Sequence, residues 1–501
     1  MATASLPQDP DLGQLRNQAR ELQRAVRAGE PEALARVARS HPGPPPASPF
    51  PLTAAQLVLA REHGFPSWAR LRRYVEIVTA RAWTPGKPPP ADEPLADRFL
   101  RLACLTYTDD EAADRVAAAR LLDAHPDLPR QSLLVAAACA DVAAVRRHLA
   151  NRQAGASVTG GPHGWSPLLY QAYARHDPDV SRDATLATAG LLLDAGADPN
   201  DGRFWHALPT PFTVLTGVLG YGEGRQPWHP HAIAFARLLL ERGADPNDGQ
   251  ALYNRMFGRR DDHLVLLFEF GLGRDTHGPW HRLLSESLES PAVMLRTLLA
   301  WAISHDQRER VALLAAHGVD VVSPFTEPRS PRRSTPVKVA LLSGHRELAD
   351  ELLALGARPP RLSAADSFVA AVLAGDAEGV RQTPAEVVTT VRQRRPGLVT
   401  WAAAEGAANA VGLLVAAGFD VNAPGRSDVP SNQPWHTALH VAAERGDVAL
   451  AQSLLALGAD PDLTDKHYRS TPLGWARHFG QEEVAELLEP VTGEGASESP
   501  S

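Results

Sequence analysis

The chain has 501 residues, more than one compact core usually serves, so about two to four domains or an additive repeat are expected. Hydrophobic residues make up 44%, charged residues 22% and aromatics 6%, which excludes a wholly disordered chain and suits helices packed through small side chains. A net charge of −8 supplies no global positive field for a polyanion, so nucleic acid is not an expected partner.

Cys104 and Cys139 are the two cysteines, too few for a disulfide framework and not spaced as a metal knuckle. The opening MATASLPQDPDLGQLRNQAR lacks a basic start followed by an apolar run, and no stretch approaches the ~18 apolar residues of a membrane helix. Neither export nor membrane insertion is expected, and the expected location is the cytoplasm. Lys87, Lys338 and Lys466 are the only lysines among 50 basic residues, a bias read as compositional background.

In chain order, LRNQARELQRAVRAGEPEALARVARSHP and LTAAQLVLAREHGFPSWARLRRYVE each read as a helical pair, with Gly29 and Gly64 at the inter-helix turns. They lie within 1–83, which is either a divergent start of the array that follows or a separate small helical domain. TPGKPPPADEP, residues 84–94, reads as a stiff proline-rich linker. Helical pairs follow in FLRLACLTYTDDEAADRVAAARLLDAHPDL from Phe99, SLLVAAACADVAAVRRHLA from Ser132, ALYNRMFGRRDDHLVLLFEFG from Ala251 and DSFVAAVLAGDAEGVRQ from Asp366.

Between them stand recurrent openers and stops. Ser166-Pro-Leu168, Thr210-Pro-Phe212 and Thr335-Pro-Val337 have a hydroxyl cap and a proline in the first helical turn, where no amide hydrogen is needed. Gly196-Ala-Asp-Pro-Asn200, Gly243-Ala-Asp-Pro-Asn247, Gly318-Val-Asp320, Gly356-Ala-Arg358 and Gly418-Phe-Asp-Val-Asn422 each end a Leu- or Ala-rich helix. The clearest copy comes last. Thr437-Ala-Leu-His440 recurs as Thr471-Pro-Leu-Gly474, and Gly446-Asp-Val448 as Gly480-Gln-Glu482, both after 34 residues. Val448, Leu450, Ala451, Leu454 and Leu455 form the apolar stripe of a second helix. About ten or eleven such units are expected over 95–490, followed by a disordered tail over 491–501.

These residues resemble ankyrin repeats, whose period is about 33 residues with a T-P-L-H-x-A opener. The resemblance implies an all-α solenoid of stacked helix pairs with short hairpin loops, with 1–83 as a divergent helical capping region. It implies a non-enzymatic scaffold that binds another protein through its concave face and hairpin loops. His440 would tie the Thr437 hydroxyl to the neighbouring hairpin backbone. Spacing departs from the pattern: Asp198 to Asp245 is 47 residues and Asp420 to Asp460 is 40. The extra length falls at 173–183 and 221–231, between the helices of a pair, and at 324–334 and 424–434, in the hairpins, where binding individuality is expected to concentrate.

Trp165, Trp435 and Tyr468 precede openers, where an aromatic either packs on the next hairpin or anchors a partner. With Trp205, Trp228 and His467 they are the candidate protein-binding residues. Arg329, Arg332 and Arg333 join them as a basic cluster, either a solvated loop or a contact for an acidic partner. Trp228-His229-Pro230-His231 suggests a metal, but two histidines beside Glu223 fall short of the donor set zinc usually takes. No GxxxxGK[ST], GxSxG or HExxH motif occurs, and the glycines of 217–225 follow a helix end, not a strand. No enzyme activity and no cofactor are expected. The competing readings are a metal-dependent hydrolase built on the insertions at 173–183 and 221–231, and a self-assembling structural protein.

Overall fold

Helices of four to sixteen residues, mostly too short to be stable alone, are stacked, most of them in pairs, so that they bury their apolar stripes against neighbours. The computed structural model describes the chain apart from residues 1–5, 8–9, 42, 44–48, 85–87, 109, 152–154, 206–207, 209, 225, 275–277, 285–287, 327–332, 428–432 and 494–501. Helix accounts for 59% and strand for 4%. Two units, Met1–Met294 and Leu295–Ser501, divide the chain within the helix Pro291–Ser304.

The first unit begins with helices α1 (Leu12–Arg27), α2 (Pro31–Ser40), α3 (Leu52–Glu62) and α4 (Trp68–Ala80). Asp11 caps α1 by accepting from the Gln14 amide at 2.6 Å, and Ser67 caps α4 through the Arg70 amide. Leu22, Val37, Phe50 and Val58 form one small core, and Arg36 grips Glu62 with two bonds of 2.9 and 2.7 Å. A second core of Leu15, Leu71, Tyr74 and Val78 draws in Phe204, Trp280 and Leu284 from far along the chain. The contact continues through backbone. Strand β1 (Ala82–Trp83) runs parallel to β2 (Gly202–Trp205), which pairs antiparallel with β3 (Phe212–Thr213).

Among the described residues five helix pairs follow in this unit, Leu95–Ala103 with Ala112–Ala124, Leu133–Ala138 with Val142–Ala150, Pro167–Tyr173 with Arg182–Asp194, Val214–Leu219 with Ala232–Glu241, and Gly249–Met256 with Asp262–Glu269, together with the short helices Leu128–Gln131 and Pro279–Leu284. The second unit continues the pattern with Pro336–Leu342 and Arg346–Ala354, Ala364–Leu373 and Ala377–Gln382, Leu398–Ala404 and Ala408–Ala416, Ala438–Arg445 and Val448–Ala456, and Pro472–His478 and Glu482–Leu488. One core runs through these pairs from Leu342 to Leu488. Alanines Ala402, Ala403, Ala442, Ala443 and Ala476 occupy the first helices, where their small size admits the next pair closely.

A single asparagine registers successive hairpins across loops of different length. Asn200 donates to the Gly243 carbonyl (2.9 Å) and accepts from the Asp245 amide (2.8 Å). Asn422 does the same to Gly458 (3.3 Å) and Asp460 (2.8 Å). Two backbone groups that a turn would leave unsatisfied are thereby paired, so extra residues are accommodated without breaking the stack.

Three features depart from expectation. The Thr210-Pro-Phe212 opener is displaced: Thr213 is the cap, accepting from the Thr216 amide at 3.1 Å, because Phe212 and Thr213 are committed to pairing with Arg203 and Gly202. The three-stranded sheet was not foreseen. An additional helix, Ala385–Arg394, stands between two pairs with only Val391 buried.

Candidate functional site

The two insertions in the first unit are held as structure. Arg175, fully buried, directs its guanidinium at four backbone carbonyls: Pro227 (2.9 Å), Ala172 (2.9 Å), Ala174 (2.8 Å) and Gly217 (2.5 Å). Burial lowers its pKa to about 10, which leaves it protonated near neutrality. Gly217 explains part of the glycine run, since a Cβ there would stand 2.2 Å from the Tyr173 ring. His229 Nδ1 accepts from the His231 amide (3.1 Å), while His231 Nε2 faces the Val180 carbonyl (2.6 Å). Burial holds the His229 pKa well below its ordinary value, and Glu223 bonds the Tyr253 hydroxyl. Among the described residues no group of three metal donors forms.

The tryptophans of this unit are spread over different environments. Trp165 is 1% exposed, enclosed by Trp83 (4.7 Å between ring centres), Tyr173 (4.9 Å) and Tyr170 (5.3 Å). It has no surface to offer a partner, which corrects its candidacy. Trp205 is half-buried, with its indole N–H donated to the Thr106 carbonyl at 3.0 Å. Trp228 is also half-buried, with the guanidiniums of Arg255 and Arg260 each 4.3 Å from its ring centre.

In the second unit Arg333 is exposed on strand β5 (Arg333–Ser334), which pairs with β4 (Phe325–Thr326), and it donates to the Pro324 carbonyl at 3.2 Å. Arg329 and Arg332 lie outside the described residues.

The structure brings Trp435, His467 and Tyr468 together on two adjoining hairpin tips. Gly425 and His436 exchange backbone bonds of 2.8 and 3.1 Å to close the first tip. The Trp435 carbonyl then accepts from the Lys466 amide of the second at 2.8 Å. Trp435 lies 6.1 Å from His467 and 6.5 Å from Trp475, with the Arg426 guanidinium 5.1 Å from its ring. Tyr468 is 53% exposed, and Phe479, next to Trp475, is 46% exposed.

One buried carboxylate shapes the second tip. Asp465 accepts from the amides of His467 (2.8 Å), Tyr468 (2.5 Å) and Ser470 (2.9 Å) and from the Trp475 indole (3.0 Å). Burial alone would raise its pKa, but these donors hold it below the usual range, so it stays ionised. Arg469 takes a left-handed conformation, φ 56°, at this turn.

His440 supports the tip from beneath. Its Nδ1 accepts from the Thr437 amide (3.3 Å) and meets the Thr437 hydroxyl (2.8 Å), while Nε2 reaches the Ser470 carbonyl (3.0 Å). Burial lowers its pKa to about 4, so the ring is neutral with the proton on Nε2, the arrangement that satisfies both partners.

Arg426, Lys466, Arg469 and Phe479 belong to the same surface and were missed in the sequence. The Asp465-to-Ser470 turn was a legible signal, because an aspartate several residues before a helix opener favours a side-chain-capped turn. Exposure of Phe479 had no such signal. A family model described as ankyrin repeats (3 copies) matches residues 399–493, the segment that holds both tips.

Proposed function

Since this is an ankyrin-repeat protein, with repeats in its C-terminal region of a kind that generally mediates protein–protein interaction, we propose that it is a non-enzymatic scaffold. It binds another protein through the hairpin tips of its second unit, in the cytoplasm, without nucleic acid or membrane as partner. Among the described residues no helix is long and apolar enough to cross a membrane.

The observation that carries this reading is the aromatic surface of exposed Tyr468 and Phe479 beside half-buried Trp435, on a backbone fixed by Asp465 and His440. Large side chains presented on a rigid frame lose little conformational freedom on binding, which is what interface anchors require. A stable complex would bury on the order of 1,200 to 2,000 Å², and the concave face would contribute beside the tips. Arg333, Trp205 and Trp228 are further candidate contacts.

Affinity capture with the full chain tests the proposal. The wild type is expected to retain partner proteins that a Tyr468→Ala, Trp435→Ala variant loses while its circular dichroism is unchanged. Identical recoveries from both would contradict it.

A further inference from the structure

Cations gather on the two tips of a chain whose net charge is negative. The protein carries a net −8, yet the described tip residues, 424–427, 433–436 and 463–470, present three cations: Arg426, Lys466 and Arg469. Lys466 and Arg469 are exposed and form no ion pair among the described residues. The carboxylate among these described residues is Asp465, which is buried and saturated by its four N–H donors; Asp428 of the first tip lies outside the described residues, and Asp462 immediately precedes the second stretch. The charge of Asp465 is spent inward, on the turn that holds Lys466 to Arg469 in place.

Other carboxylates stand where each hairpin leaves its preceding helix. There Asp420 accepts from the Asn422 amide (2.9 Å), Asp460 from Asp462 (2.9 Å) and Asp462 from Gly493 (2.6 Å). Each closes a turn, whereas Lys466 and Arg469 are exposed on the same Asp465-to-Ser470 turn as Tyr468.

We propose that the paired tips bind an acidic segment of a partner protein, one with carboxylates next to an aromatic or branched apolar side chain. Tyr468 and Trp435 receive the apolar group, and Lys466 and Arg469 meet the carboxylates. This rests on the reading of the tips as the binding surface and specifies its partner. Complementary charge at such a solvent-exposed rim acts chiefly on association rate and selectivity, and it weakens with salt.

The test uses the full-length chain and three labelled peptides of about a dozen residues: Glu alternating with Phe and Leu, the same with Lys for Glu, and a Gly-Ser control. Fluorescence anisotropy is expected to show binding of the Glu peptide, weakened several-fold between ~50 and ~300 mM salt. A Lys466→Glu, Arg469→Glu variant should lose roughly tenfold or more in affinity for it and come to prefer the Lys peptide. Equal or stronger binding of the Lys peptide by wild type, no binding of any peptide, or a charge reversal without effect would each overturn the proposal.

The same reversal in affinity capture separates the two readings. Partners lost with Tyr468→Ala but kept on charge reversal leave the tips as the binding surface and remove the acidic partner. Partners kept in both remove both.

Discussion

The hairpin of residues 202–213 and the tips at 425–436 and 465–470 are built on the same plan, yet one is closed and the others are open. In the first, β2 is paired on both sides, and Phe204 is fully buried between α1–α4 and Trp280, whose ring it meets edge-on at 5.4 Å. In the second, Tyr468 stands more than half exposed above a turn that is satisfied internally. The difference comes from what the rest of the chain supplies: residues 1–83 provide an edge strand and an apolar face to one hairpin, whereas the other is held by Asp465 and by hydrogen bonds to the adjoining Trp435, His440 and Trp475, which leave Tyr468 uncovered. An aromatic before a repeat opener is therefore not in itself a binding marker. Trp165 is core, Trp435 half-core and Tyr468 surface.

The largest expected effect breaks the closed hairpin. Phe204→Ala removes a fully buried ring and should destabilise the first unit by about 3–5 kcal/mol. Hydrogen exchange should report it as lost protection in α1–α4, with residues 398–488 unaffected.

Acid should separate the units next. His163 and His176 of the first unit have pKa values lowered by burial to about 4. A depressed folded value means stability that is present above the unfolded pKa, ~6.5, and lost as pH falls toward 4. Each should cost on the order of 2 kcal/mol by about pH 5. In the second unit His440 behaves in the same way, and His345 opposes it. Burial works to lower the His345 pKa, but Glu405 at 3.2 Å and the Ser304 carbonyl at 3.0 Å leave it raised. Its contribution is fully present below ~6.5 and lost as pH rises through the raised value. Limited proteolysis at pH 7 and 5 should show the first unit opening sooner at the lower pH.

A smaller effect is expected at Gly446, which ends the helix Ala438–Arg445 at φ 68°. Gly446→Ala should cost about 1 kcal/mol, because a Cβ is disfavoured in that conformation and would displace the Gln481 side-chain amide. Thermal melting of the second unit checks it. Smallest of all, Tyr468→Ala should change stability by no more than ~0.5 kcal/mol, so its effect on binding would be separable from folding.

Local features were readable from the residues. The glycines at 196, 243, 318, 356 and 418 all adopt the left-handed conformation that their Gly-x-Asp or Gly-x-Arg stops implied. Ser166, Thr335 and Thr471 cap helices with proline in the first turn, and His440 makes the bonds its place in the opener implied. What was not readable is what distant residues decide. β1 is two residues long and has no periodicity to detect, yet it fixes where the first four helices sit. Thr210 and Thr213 are equally plausible caps until pairing with Gly202 selects the second. Trp165 is buried by Trp83, which no local pattern reveals. At the proposed surface, the sequence pointed to Trp435, His467 and Tyr468, which the fold brings together, while the neighbouring cations and Phe479 depended on the stacking of the last two pairs.

A photo-crosslinking residue placed at position 468 of the full chain, and separately at the equally exposed Val265 on a helix of the first unit, tests the central claim most directly. Tip-mediated binding predicts adducts with another protein from 468 and not from 265. Equal adducts from the two positions, or adducts from 265 alone, would contradict it.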